Sequence, residues 1–279
     1  MSLEEGVIGQ SFVRGVNLCA RTACVGSASG GHRFRRCVID GEAQQLRSMT
    51  ERSQLSLKAG YGIDRDIHAH PISPRQVLVV RQEDLVKLAI DPGELSENIV
   101  ISGANLDRFA PGSMLKFPSG AAIRLTFHCE PCKRVAHLVE SLKSIEGKRG
   151  ILGVVIADGF IKSGDRFEIE RNVFPALSDV PYERFLEFLT KIPAGKVVTY
   201  KQVIVGSGVS QGYYRAIPKY LQKATADGYP AHRVLDSQGD LTLHVTNQQG
   251  RLEAEGVRVI DSCVVLDDYL WNEPTIYSL

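Results

Sequence analysis

From Gly60 onward, short apolar runs alternate with turn residues. Arg75-Gln76-Val77-Leu78-Val79-Val80 ends in a continuous, β-branched apolar run, as a buried strand requires. Asn98–Ile101, Met114–Phe117 and Ala122–Phe127 read as three more short strands, separated by Gly, Pro and Asn, and Gly153–Ile156 and Asp165–Ile169 add two. Glu83–Leu88 has helical spacing and ends near Pro92-Gly93, and the stretch from Lys133 to Ser144 also reads as helical. Many short strands with turn signals between them predict a β-barrel or sandwich. Upstream the pattern is weak. Val13–Val16 and Arg36–Ile39 have short strand character, Gly26–Gly31 reads as a flexible loop, and the Arg33, Arg35, Arg36 cluster reads as a solvated rim.

Near Phe174-Pro175 the texture changes. Val180-Pro181-Tyr182 opens an amphipathic helix with Phe185, Leu186, Phe188 and Leu189 on or near one face. The expected division is a mainly-β domain over 1–175, a small and mostly helical domain over 176–265, and a tail over 266–279. That makes an α+β chain of two closely packed domains, with no low-complexity linker. The tail holds the single Trp271 with Tyr269, Leu270 and Tyr277, and either docks back on the first domain or stands out as an interaction motif.

Composition narrows the function classes. The chain has 279 residues, is 43% hydrophobic and 23% charged, and carries a net charge of +1. No global field drives it onto nucleic acid or membrane, so any nucleic-acid binding must be local. No apolar run approaches the roughly 20 residues that span a bilayer. The acidic Met1-Ser2-Leu3-Glu4-Glu5 start is unlike a signal peptide, and six irregularly spaced cysteines are no disulfide framework. A cytoplasmic protein without membrane partners is expected.

His128-Cys129-Glu130-Pro131-Cys132-Lys133 concentrates thiols, an imidazole and a carboxylate in six residues. One Cys-x-x-Cys pair is half of a structural zinc site, but four ligands are needed and no second pair follows, so zinc is not expected. A thioredoxin-like redox pair lacks its βαβ setting. The remaining readings are two small buried hydrophobes, or a reactive thiol at Cys132 whose thiolate Lys133 and Arg134 would favour.

The order of features over roughly 10–172 resembles a MOSC domain. It runs through Gly62-Ile63 with Asp66, Arg75-Gln76-Val77, Pro92-Gly93-Glu94-Leu95-Ser96-Glu97-Asn98-Ile99, Gly112, Leu115 and Ile123-Arg124-Leu125-Thr126, then Pro131-Cys132, Arg149-Gly150 and Gly164-Asp165. The resemblance implies that Cys132 is the characteristic cysteine. It would be catalytic, carrying sulfur as a persulfide, or would ligate molybdenum in a pterin cofactor. His68, His70 and Arg75 would be its cofactor-binding partners, a basic residue holding the cofactor's phosphate. A sulfur-donor protein is then an expected partner, and molybdenum-ion and pyridoxal-phosphate binding are expected associations. Arg65 stands where the family often has a second Gly, a bulky cation that either closes the pocket or lines it.

A second set of motifs occupies 181–258. Ile192-Pro193-Ala194-Gly195-Lys196-Val197-Val198-Thr199-Tyr200-Lys201-Gln202-Val203 leads into a helix that Thr199 can N-cap, Gly206-Ser207-Gly208 supplies a turn, and Gly212-Tyr213-Tyr214-Arg215-Ala216 opens a second helix. Pro230-Ala231-His232-Arg233-Val234 and Leu252-Glu253-Ala254-Glu255-Gly256-Val257 close the set. Together they resemble the C-terminal domain of O6-alkylguanine-DNA alkyltransferases, and more closely the alkyltransferase-like proteins, which lack the alkyl-accepting cysteine; here Ala231 takes its place.

That resemblance implies a helix-turn-helix DNA-binding domain. Arg215 would fill the gap left by a flipped base, Tyr200 would press on its phosphate, and small Ala216 would let the helix approach the groove. Ala231 and His232 would line the base pocket, Arg233 would neutralise phosphate, and His232 with Glu255 would order the pocket. No alkyl transfer is expected, since only a sulfur nucleophile accepts the group. Pro218 should kink the second helix or confine Arg215 to its first turn. Over 176–265 there are ten Lys and Arg against nine Asp and Glu, so DNA affinity should be modest.

Two functions remain open. In one, a MOSC domain is joined to a non-catalytic domain that binds alkylated guanine in DNA and flags it for repair factors. In the other, the chain is a sulfur- or molybdopterin-handling enzyme whose helical domain is a scaffold or an adaptor on ordinary DNA.

Overall fold

The continuous apolar strands are explained by a barrel that is covered on its outside. In a computed structural model, which describes residues 4–13, 37–39, 42–44, 49–103, 106–272 and 277, Val77 and Val79 point into the barrel while Leu78 and Val80 pack outward under a second apolar layer. Ile99 and Ile101 alternate with Val100 in the same way, as do Ile151 and Val155 with Leu152 and Val154. Side chains alternate across a strand, so apolar layers on both sides require an unbroken apolar run.

Apart from a short hairpin of Cys37–Ile39 with Glu42–Gln44, as expected for Arg36–Ile39, and a two-residue strand at Thr50–Glu51, the elements in order are β1 (Glu4–Val13), β2 (Gln54–Lys58), β3 (Gly62–Ile63), β4 (Val77–Arg81), α1 (Gln82–Leu88), β5 (Ile99–Ser102), β6 (Met114–Lys116), β7 (Ala122–His128), β8 (Ile151–Ala157), β9 (Gly159–Lys162) and β10 (Arg166–Glu170). Seven of the strands pair in the order β10-β6-β7-β8-β4-β5-β1, and β1 pairs back to β10, closing the barrel. All these pairs are antiparallel except β4 with β5, which α1 connects in parallel. β9, β2 and β3 form a separate three-stranded sheet.

Expectation and structure differ in several places. Lys133 to Ser144 is not one helix but separate 3-10 turns at Ala136–Leu138 and, from Leu142, at Leu142–Ile145. Val139 and Ser141 between them are extended, and the Ser141 hydroxyl caps the second turn. Apolar residues at helical spacing thus bury Val135 and Ile145 from two loops. β1 begins nine residues before the strand expected at Val13–Val16, of which only Val13 is described, and β2 and β9 had no clear signal. The Gly26–Gly31 loop and the arginines at 33, 35 and 36 lie outside the described residues. Arg65 holds a left-handed φ of 61°, keeping the glycine-like turn without the glycine.

The second half contains α2 (Pro181–Lys191), α3 (Tyr200–Gly206), a 3-10 turn over Gln211–Ala216, α4 (Ile217–Ala226), a 3-10 turn over Ala231–Arg233 and α5 (Gln248–Ala254). Thr199 caps α3 in a capping box with Gln202, as Thr-x-x-Gln predicts. The helix expected to open at Gly212 is instead a 3-10 turn followed by α4. Pro218 sits in the first turn of α4, where a missing N–H costs nothing, so it neither breaks nor kinks the helix. Phe185, Phe188, Leu189, Val203, Leu221, Val234 and Trp271 form this half's main core.

The two halves are firmly joined. Ile72, from the first, lies in the helical core. Arg184 of α2 is 1% exposed. It donates to Ser207 O (3.0 Å), Ser178 O (2.7 Å) and Glu130 Oε1 (2.6 Å), and its guanidinium lies 3.9 Å from the centroid of the Phe127 ring. Arg75 donates to Gly208 O at 2.9 Å, and Arg124 to Tyr277 O at 2.7 Å. The Tyr277 hydroxyl donates to Gly206 O. Part of the tail therefore docks on both halves.

Candidate functional site

The helical half gathers the expected residues around Ala231. Pro230 precedes a 3-10 turn that buries both Ala231 and His232. α5 and its C-terminal residue Glu255 come up beside this turn. Glu255 accepts from His232 Nε2 at 2.9 Å, from Arg233 Nε at 2.9 Å and Nη2 at 2.6 Å, and from the Gly195 N–H at 3.0 Å. Arg233 also donates from Nη1 to Ile192 O at 2.6 Å. Burial alone would raise the Glu255 carboxyl, but the bonds from Arg233, His232 and Gly195 outweigh it and hold it at about 2.

The electrostatics fix the imidazole. Burial, aided by the Arg251 and Arg233 charges, lowers His232 below its ordinary 6.5 despite the Glu255 partner. A neutral ring facing a carboxylate through Nε2 must carry its proton there, so Nδ1 is an acceptor. Nδ1 is buried and has no hydrogen-bond partner among the described residues. The dyad is assembled, with the methyl side chain of Ala231 in the neighbouring position.

The residues expected at a DNA groove are placed differently. Tyr200, at the start of α3, is buried and donates its hydroxyl to Thr242 Oγ1 at 2.9 Å; the exposed Tyr214 ring lies edge-on at 5.9 Å. Arg215 is exposed on the 3-10 turn beside Tyr214, and Ala216 is half-buried at its end. Lys201, Lys219 and Lys223 are exposed; Lys223 Nζ lies 4.2 Å from the Tyr182 ring centroid.

In the barrel half, the loop after β7 carries Cys132. Arg149 Nη1 is 3.2 Å from Cys132 Sγ and also donates to Glu130 O. Cys129 is buried, and burial pushes its thiol up despite the nearby Arg149 and Arg75 charges, leaving Cys132 as the accessible thiol of the pair. Glu130, between the two cysteines, holds Arg184 of the other half. Among the described residues, no hydrogen bond or ion pair joins the other expected partners to Cys132. His68 Nδ1 pairs with Asp66 at 3.2 Å, and Arg75 is engaged with Gly208 O. His70 is lowered by burial and by Lys201 across the domain contact. Sequence reasoning placed Glu130 in this loop but missed its partners Arg149 and Arg184; the Arg149-Gly150 match was the one hint.

The donor set bears on the implied cofactors. No group of three or more His, Cys, Asp and Glu side chains that could hold a metal occurs among the described residues. A molybdenum centre that brings its own chelating ligand needs from the protein one soft sulfur and cationic anchors, and Cys132 with Arg149 fits that need. Pyridoxal phosphate would need a lysine for its Schiff base. A depression of about 250 Å³ lined by Arg52, Gln54, Leu55, Ser56, Ile63, Asp64 and Arg65 offers none, so these residues do not fit it.

Comparison with known proteins divides the chain in two. Residues 62–168 match the family model for the MOSC domain. Residues 180–257 match that for the 6-O-methylguanine DNA methyltransferase, DNA binding domain. The YUAD protein from Bacillus subtilis is 19% identical over 60% of this chain and 97% of that one, with a TM-score of 0.43. YiiM from Geobacillus stearothermophilus is 14% identical over 88% and 99%, at 0.44. S. pombe Atl1, solved with damaged DNA containing O6-carboxymethylguanine, is 27% identical over 34% and 96%, at 0.31. No curated protein gives a significant match. No helix among the described residues is long and apolar enough to cross a membrane. The chain thus joins a β-barrel that matches the MOSC domain to a small, mostly helical unit that matches the DNA-binding domain of 6-O-methylguanine DNA methyltransferase.

Proposed function

We propose that the helical half binds duplex DNA carrying an alkylated guanine, turns the damaged base out of the stack and holds it unrepaired, flagging it for repair factors. One observation carries this reading. The His232–Glu255–Arg233 network is fully formed beside a buried Ala231 whose methyl side chain cannot accept an alkyl group. Extruding a base costs a few kcal/mol, least for a damaged one, and needs a side chain in the vacated stack. Arg215 is exposed for that role, Ala216 beside it is small, and Tyr200 with Tyr214 forms the wall against the displaced phosphate. Arg233, tied to Glu255, shapes the pocket more than it neutralises phosphate, which leaves Lys201 and Lys219 for the backbone.

The test is a fluorescence titration of matched duplexes with and without O6-alkylguanine. The lesion duplex should bind at least several-fold more tightly, and Arg215→Ala should remove that preference. Equal affinity for both duplexes, unchanged by the substitution, would sink the reading.

A second reading concerns the barrel half and rests on the Arg149–Cys132 contact of 3.2 Å. Cys132 would carry a persulfide or act as the single protein ligand of a molybdenum cofactor, with Arg149 as its cationic neighbour. The group, when bound, would supply sulfur-transfer or redox chemistry. Molybdenum or sulfane sulfur on purified protein, lost with Cys132→Ala, is the expected result; a metal-free protein with no sulfane sulfur and an unreactive Cys132 would overturn it.

A further inference from the structure

The small sheet β9-β2-β3 turns one face to solvent. Along β2, Leu55 and Leu57 are buried while Gln54, Ser56 and Lys58 face outward, and Arg52 continues the outward row before the strand. β9 sets Phe160 opposite Ser56 and Lys162 opposite Gln54, so these four share the face. Phe160 is 44% exposed and Tyr61, in the turn after β2, is 41% exposed. Each ring has a lysine over it: Lys162 Nζ at 5.2 Å from the Phe160 centroid and Lys58 Nζ at 5.8 Å from that of Tyr61. The depression of about 250 Å³ lies on the same sheet, with Arg52 and Arg65 on its wall.

The charges on this face are available. Among the described residues Arg52, Lys58 and Lys162 form no ion pair, and Arg65 has only the exposed Asp64 at 3.5 Å. Two part-exposed rings and four cations are thus gathered on this side of the sheet. They are what a polyanion with unpaired bases needs: ring faces to stack on and cations along its backbone. A duplex hides its base faces, so the rings select for an unpaired strand. The segment leaving β3 also runs directly to the DNA-binding half, where His70 senses the Lys201 charge and Ile72 enters the helical core.

From this geometry we propose that the outer face of β9-β2-β3 is a binding site for single-stranded DNA, with Phe160 and Tyr61 as stacking platforms and Arg52, Lys58, Arg65 and Lys162 along the phosphates. The site is separate from the pocket around Ala231, and it would let one protein hold a damaged duplex and an adjoining unpaired strand.

The probe is a fluorescein-labelled oligothymidine of about 12 nucleotides, titrated with the full chain by anisotropy at two salt concentrations. The Phe160→Ala, Tyr61→Ala double variant should lose at least about thirty-fold in affinity, while its melting temperature and its binding of the alkylguanine duplex stay those of wild type. Lys58→Gln with Lys162→Gln should flatten the salt dependence. No binding by wild type, equal binding by the ring variant, or full displacement by thymidine monophosphate would each overturn the proposal, the last by showing a mononucleotide site. Single-strand binding lost in Arg215→Ala but kept in the ring variant would place the strand on the helical half and refute the sheet. Lesion discrimination lost with ring-dependent strand binding retained would refute the base-flipping reading alone.

Discussion

Replacing Arg184 tests how the two halves are held together. Arg184→Ala removes three hydrogen bonds from a buried guanidinium, its stacking on Phe127 at 3.9 Å, and the partner of Glu130. Hydrogen bonds to charged groups contribute about 1.5–3 kcal/mol each, and a desolvated cation–π contact about 2 kcal/mol, but these terms do not add. Breaking a buried pair costs about 3–5 kcal/mol, chiefly for the group left behind. Here the group left behind is a carboxylate that keeps 30% of its side-chain surface in water, so Glu130 rehydrates cheaply. The loss then comes mainly from the Ser178 and Ser207 carbonyls and the emptied volume.

We expect about 4 kcal/mol for Arg184→Ala, or roughly 10 °C in Tm, and about half that for Arg184→Met, which fills the space. The assay is urea unfolding followed by two probes. Trp271 fluorescence reports the helical core, and exposure of the buried Cys129 to a thiol reagent reports the barrel half. In wild type the two transitions should coincide; in Arg184→Ala they should separate. A loss under about 1 kcal/mol with coincident transitions would refute the idea that this arginine couples the domains.

Other perturbations follow from the same geometry. Glu255 is held at about 2 against an ordinary 4.5. Its depressed value adds stability that is fully present above pH 4.5 and is lost as pH falls toward 2, about 3 kcal/mol in all; Glu255→Gln should flatten the acid limb of a Trp271-monitored titration. His232, also depressed, acts in the same direction below its ordinary 6.5. Gly208 has φ of 61°, and a Cβ there would lie 2.7 Å from Pro74 Cγ and 2.9 Å from Phe127 Cζ, so Gly208→Ala should cost about 1–3 kcal/mol and loosen the domain contact, read as faster Cys132 labelling. Pro218→Ala should change stability by less than about 1 kcal/mol, because the proline occupies the first turn of α4; a larger loss would contradict that placement.

The parts legible in the sequence were those set by local chemistry. Val77–Val80 and Ala122–Phe127 read as strands because packing on both faces demands unbroken apolar runs. The Thr199–Gln202 capping box and the Pro230–Val234 motif were visible because each is a few adjacent residues. Lys133–Ser144 misled because helical spacing also arises when two separate turns bury Val135 and Ile145. β1 was hidden because Gly6 and Gly9 interrupt its pattern; Gly6 is there to make room for the Phe167 ring. The joint between domains was not legible at all. Arg184 looks like any polar residue of an amphipathic helix until Glu130, 54 positions earlier, is brought beside it.

Barrel closure imposes a schedule on synthesis. β1 is made first, yet its edge finds its closing partner only when Arg166–Glu170 appears, so Glu4 must wait for Ile169. Such long-separated pairing is slow and leaves an open strand edge in the interval. The helical half is built from near neighbours and can form as it emerges. The clasp at Tyr277, which touches Arg124 on one side and Gly206 on the other, comes later than either half. A ribosome-bound chain should therefore join its halves first through Arg184 and Arg75, and add the tyrosine clasp last.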